Sequence, residues 1–214
     1  MTKGTYEVLA EIKPRPAMWL GAATIGRLSS FLHGFWYAQD NLIPTFEMPP
    51  FELLHDWTAI RFKQGYSAAG WCNILINECQ GDELAALQLF FTLLEEFKQV
   101  QAVRVVEVAL GPDNLAFFYS EACQVRRYNV GPSKEETRSL SPDKIYIIQF
   151  SGGLGYYVFH HRKGEVVARD VYYPSFRAVL KRLRQEFGPT LHYHDSLDLS
   201  MSAIGAIMRG INYN

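Results

Sequence analysis

The densest group of side chains able to do chemistry is His192-Tyr193-His194-Asp195. Alternate residues of a strand share a face, so His192 and His194 would offer two imidazoles to one metal ion, with Asp195 nearby. Two histidines and an acid fall short of a complete site, and His160 or His161 would have to fold in as a further ligand. A polar strand end after the Gly188-Pro189 stop accounts for the same residues without a metal, and is the plainer reading. A second group is Ser151-Gly152-Gly153-Leu154-Gly155. Glycine loops cradle phosphates where a strand runs into a helix N-terminus. Both flanks here are strand-like, and a hairpin needs the positive φ that glycine supplies.

Nucleophilic catalysis finds no support. No G-x-S-x-G occurs, and neither Cys72 nor Cys123 has an adjacent histidine to activate it. The paired acids Glu95-Glu96 and Glu135-Glu136 read as solvated faces rather than as a general acid and base. No catalytic residue and no cofactor is therefore expected.

The elements that must position these groups follow from periodicity. Residues 24–39 carry Ile25, Leu28, Phe31, Leu32, Phe35 and Trp36 at helical spacing behind Thr24 as N-cap. Helices are also expected over 51–62, 71–78 and 83–99. The last is capped by Asp82, with Leu84, Leu87, Phe90, Phe91, Leu94 and Phe97 as its stripe. Val103, Val105, Val106 and Val108 mark a strand over 102–110, closed by Gly111-Pro112. Residues 131–143 hold Pro132 and Pro142 and read as a linker or long loop. Three strands, 144–150, 155–161 and 165–172, then precede a helix over 174–187 and a weaker one over 199–208. The expected class is α+β: a mainly helical region 1–130, packed with a small antiparallel sheet plus helix over 144–214. Upstream, Lys13-Pro14-Arg15-Pro16 reads as a stiff extended arm that docks Trp19 against the first helical layer.

Composition narrows the function. A net charge of -1 removes the electrostatic case for nucleic acid or an anionic membrane surface. No run of about 18 apolar residues is present to span a membrane, and residues 1–12 lack the apolar core of a secretory signal. Three cysteines that cannot all pair suit a reduced, cytoplasmic compartment. The 14 Phe, 12 Tyr and 4 Trp point to bulky cores or aromatic surfaces.

Two resemblances add to this. Arg15-Pro16-x-Met18-x-Leu20-Gly21, Phe31-Leu32-x-Gly34-Phe35, Phe51-x-Leu53-Leu54-His55-Asp56-Trp57, Gly70-Trp71-x-x-Ile74-Leu75 and Phe90-Phe91 make residues 14–97 resemble a family of uncharacterised bacterial proteins. In residues 144–187, the strand 145–150, the Gly152-Gly153-x-Gly155-Tyr156 turn, Gly164-x-Val166 and Ser175-Phe176-x-x-Val179-Leu180 are similar to the closing half of SUKH-type toxin-immunity proteins. That likeness implies a protein that neutralises a cognate toxin by binding it. The expected function is accordingly an interaction protein with a protein partner. Trp19, Tyr156, Tyr157, Arg169, Tyr172 and Tyr173 are the candidate contacts, since interface hot spots favour Trp, Tyr and Arg. The alternatives are a small metal-dependent enzyme built on His192 and His194, and a structural module that forms a homo-oligomer.

Overall fold

The computed structural model describes residues 3–39, 46–64, 69–125, 128–130, 136–138, 140–196 and 198–209. Glu135 and much of the expected 131–143 linker lie outside them. The chain divides into two compact units, Met1–Gln101 with Ser151–Leu154, and Ala102–Phe150 with Gly155–Asn214. Together they form an α+β fold, helical first and built on an antiparallel sheet second. The strand expected to close the helical half belongs instead to the second unit, because it pairs with the strand at 144–150.

The first unit comprises α1 (Thr5–Ile12), α2 (Pro16–Leu20), α3 (Ile25–Gln39), a 3-10 turn (Phe51–Leu53), α4 (Leu54–Arg61), α5 (Gly70–Glu78) and α6 (Glu83–Phe97). Asp82 caps α6 as expected, its side chain accepting from the backbone N–H of Leu84 and Ala85. The Glu47 carboxylate does the equivalent for α1, accepting from Thr5 N at 2.7 Å and Tyr6 N at 3.1 Å. Glu47 stands 42 residues from Thr5, too far along the chain for a local capping pattern to reveal it. The expected arm is not extended throughout. Pro16 occupies the first turn of α2, where its missing N–H costs nothing. Gly21, at φ 77°, ends that helix in the left-handed region.

The core of this unit is largely aromatic. Ring centroids run Trp36 to Phe51 at 5.4 Å, Phe51 to Trp71 at 6.4 Å, Trp71 to Phe90 at 5.0 Å and Phe90 to Phe91 at 5.2 Å. Trp57 packs on Phe97 nearby. The Ser151–Leu154 turn completes the unit: Ser151 N donates to the Gln101 carbonyl at 2.8 Å, and Gln101 N donates to Ser151 Oγ at 2.9 Å. Gly152 sits there at φ 69°, and a Cβ on it would meet Val100 at 3.1 Å and the Trp57 indole nitrogen at 3.2 Å. Only glycine suits both the angle and the space.

The second unit contains β1 (Ala102–Ala109), α7 (Pro112–Tyr119), β2 (Tyr128–Val130), β3 (Glu136–Arg138), β4 (Lys144–Phe150), β5 (Gly155–Arg162), β6 (Glu165–Tyr173), α8 (Phe176–Phe187), β7 (His192–Ser196) and α9 (Met201–Arg209). The main sheet has the order β6-β5-β4-β1-β7, antiparallel throughout, and β2 pairs with β3. The glycine cluster is a hairpin connection between β4 and β5, as expected, and Lys163-Gly164, both at positive φ, turn β5 into β6. Helix α7 was not expected. Pro112 stops the strand and also opens a helix.

The two faces of the sheet differ. On one, Val106, Val108, Ile145, Ile147 and Val158 pack with Phe118 of α7 and Val179, Leu183 and Phe187 of α8. The opposite face carries Glu107, Tyr146 and His161, and α9 covers it, with the Ile207 carbonyl within 2.7 Å of His161 Nε2. Asn114, nearly buried, ties the end of α8 to the start of α7. It donates from Nδ2 to the Phe187 and Thr190 carbonyls and accepts from Gly111 N.

Candidate functional site

β7 does not bring its three expected ligands together. It forms the sheet edge beside β1, with Glu107 opposite His194 and Ala109 opposite His192. Strand alternation puts His192 and His194 on the α9 face and Asp195 on the α8 face. There Asp195 accepts from Arg104 Nε at 2.6 Å and Nη2 at 3.2 Å. The Arg104 guanidinium, stacked 4.5 Å over Phe176, holds the Asp195 carboxyl below its ordinary range. The adjacent histidines His160 and His161 also part company. His160 is buried against α8, its Nε2 3.8 Å from the Glu186 carboxylate, while His161 lies under α9. Among the described residues no three of His, Cys, Asp and Glu form a group able to hold a metal ion.

The α9 face does gather four titratable side chains that the sequence did not single out as a set. Lys144 donates to Glu107 Oε1 at 2.9 Å across β4 and β1. The same ammonium lies 5.7 Å over the Tyr146 ring. Tyr146 meets His161 edge to face, with centroids 4.9 Å apart. Together with Ser196, Asp198, Ala203, Ala206 and Ile207, Glu107, Tyr146 and His161 line a cavity of about 210 Å³. Burial and the Glu107 charge push the Tyr146 hydroxyl up, and hydrogen bonding to Glu107 raises Lys144. Burial holds the His161 imidazole below its ordinary value, against the opposing pull of the Ile207 and, more weakly, Gly164 carbonyls. One trace of this array was readable: Glu107 interrupts a valine run, and Tyr146 interrupts an isoleucine run. That they face each other depends on register, which neither run records.

The candidate contact residues divide. Tyr157, at 3% exposure, is part of the core and is no surface contact. Its position opposite Ile148 places it on a buried stretch of the sheet. Tyr156 packs at 5.8 Å from Phe176, and with Tyr173 it borders the α8-side core. Tyr172 is half-buried and Arg169 exposed.

Trp19 proves not to be docked in a core. It is 42% exposed, and its neighbour Met18 is 73% exposed. Trp19 meets Phe31 edge to face at 6.4 Å, and Phe31 stacks on Phe35 at 6.3 Å. Phe31 and Phe35 stand one turn apart on α3, both half-exposed, with the exposed Arg27 one turn before them. The result is a continuous aromatic row on the surface of the helical unit. No family model, curated protein or solved structure gives a significant match to this chain.

Proposed function

We propose that the protein acts by binding another protein, and that the partner is a toxin whose action it blocks. The observation that carries the binding reading is the row Met18, Trp19, Phe31 and Phe35. A tryptophan and two phenylalanines linked in a row through Phe31, left partly in solvent, form an anchor whose further burial stabilises a complex. Arg15 and Arg27, both exposed, flank it and suit a partner with an acidic rim. The toxin class rests on the resemblance of residues 144–187 to SUKH-type immunity proteins.

The test is co-expression with the product of the neighbouring gene in a host that this product poisons. Restored growth with the wild-type chain, lost in the folded Trp19→Ala/Phe31→Ala double variant, supports the reading. Growth restored equally by the double variant removes the row from the function. A neighbouring product that is harmless and forms no complex with the chain removes the toxin. Sedimentation of the purified protein is the companion measurement. A dimer that the double variant converts to monomer would assign the row to self-association instead.

A further inference from the structure

We infer that two copies of the chain join through β7, and that His192 and His194 of both copies together hold one divalent metal ion of the zinc class. This concerns the sheet unit and does not rest on the protein partner proposed above. β7 is the last strand of its sheet, and among the described residues no strand pairs with its outer side. The two edges of that sheet are built differently. β6 pairs with β5 through two register shifts, and bulges of that kind spoil an edge for further pairing. β7 runs beside β1 in unbroken register, from Ser196 opposite Val105 to His192 opposite Ala109. It carries no Lys, Pro or Gly, and its Asp195 carboxylate is tied to Arg104 on the α8 face. Nothing in its side chains guards the edge.

His192 and His194 share the other face, both exposed, and among the described residues no hydrogen bond engages either imidazole. Two imidazoles are half of a tetrahedral shell. The neighbouring acids do not complete it, since Asp195 points away and Glu107, opposite His194, is bonded to Lys144. A second copy completes it by symmetry. In a two-fold antiparallel pair, residues directly opposite each other point to the same face. With Tyr193 opposite Tyr193 of the second copy, each His192 stands opposite a His194. Four imidazoles then share a patch about 5 Å by 7 Å, from which they converge on one ion at the ~2.0–2.1 Å of a Zn–N bond. On the α8 face the same register brings the two Tyr193 rings together, each already packed at 5.6 Å on its own Phe176. An all-imidazole shell takes zinc, nickel or copper(II) and rejects magnesium and calcium, which need oxygen ligands. The shared ladder is short, so the ion decides whether the copies stay together.

The experiment is sedimentation velocity of the full, tag-free chain, stripped with EDTA, at about pH 7.5, where imidazole is a neutral ligand. Zinc should double the sedimenting mass and saturate near ~0.5 ion per chain, as four ligands per ion require. Magnesium should leave the mass unchanged. His192→Asn and His194→Asn, both on the exposed edge, should each abolish the doubling while circular dichroism stays that of wild type. Amide hydrogen exchange across residues 192–196 should slow on adding zinc, because the outer N–H groups of β7 gain partners. The inference fails if zinc leaves the mass unchanged, if magnesium doubles it equally, or if the His192→Asn/His194→Asn double variant still doubles. A doubling that leaves exchange across residues 192–196 as fast as before also overturns it, since the copies would then meet elsewhere.

Discussion

In the helical unit, Trp36, Phe51, Trp71, Phe90 and Phe91 touch one another in sequence, ring to ring. In the sheet unit, Phe187 stacks on Phe118 at 5.5 Å on one side, while on another it lies 6.1 Å from His160, itself facing Glu186. The first core satisfies itself by excluding water. The second buries a histidine and a carboxylate that water would otherwise solvate, and it can do so only if register and geometry bring them together. Apolar surface tolerates approximate placement; a buried pair of polar groups does not. The polar groups of this molecule that carry chemical possibility accordingly lie where the β-ladder has fixed their neighbours.

The sharpest way to break that contrast is to delete one group from each core. Phe90→Ala should cost about 3–5 kcal/mol in equilibrium denaturation, from lost transfer and a residual cavity. No second substitution of a neighbouring ring should restore it. His160→Leu should cost about 1–3 kcal/mol, because it removes a polar group that Glu186 faces in the core. Here the His160→Leu/Glu186→Leu double variant should return to within about 1 kcal/mol of wild type or exceed it. Were the double variant as weak as the single, the pair would be serving as ordinary packing and the contrast would collapse.

A smaller effect concerns pH. His161 is buried with its pKa held down, so below its ordinary 6.5 the unfolded ring takes a proton that the folded ring resists. The unfolded state then binds more protons, and stability falls as pH drops from 6.5 toward the lowered folded value. Above 6.5 this contribution is constant. His161→Gln should flatten that part of the stability profile, read as denaturation midpoints between about pH 7 and pH 5. Burial, not the Lys144 charge, is the main cause of the lowering, so a slope of the same sign should persist in Lys144→Gln. The smallest effect belongs to the helical surface. Trp19→Ala should cost about 1 kcal/mol or less, against the ~3–5 kcal/mol of a core tryptophan, because much of its ring is already in water.

Legibility followed the same division. The stripe of α6 and its Asp82 cap, the 3.6-residue period of α3 and the glycine hairpin were all readable, since each is encoded within a short stretch. Even there Leu84, counted in the stripe, turned out half-exposed, because a period does not say how wide the buried face is. Glu47 could not be seen as the cap of α1, because only tertiary folding brings it there. The histidines show the limit most plainly. His160 and His161 are neighbours in sequence, yet one faces α8 and Glu186 and the other α9 and Tyr146. His192 and Asp195, three apart on an extended strand, likewise point to opposite faces. Residue type advertised the chemistry, but strand parity decided which groups could meet.

The turn that completes the helical unit has a consequence for how the chain is made. Ser151 follows its partner Gln101 by 50 residues. At about 5–20 residues per second, a ribosome needs roughly 2.5–10 s to supply it. For that interval the helices up to Gln101 exist without the glycine turn that packs on Val100 and Trp57. The nascent helical unit therefore waits on the sheet strands β1 and β4 to be synthesised before its own last piece arrives. A single cut after Gln101 would put that piece on a separate fragment, to be recovered only by association of the two.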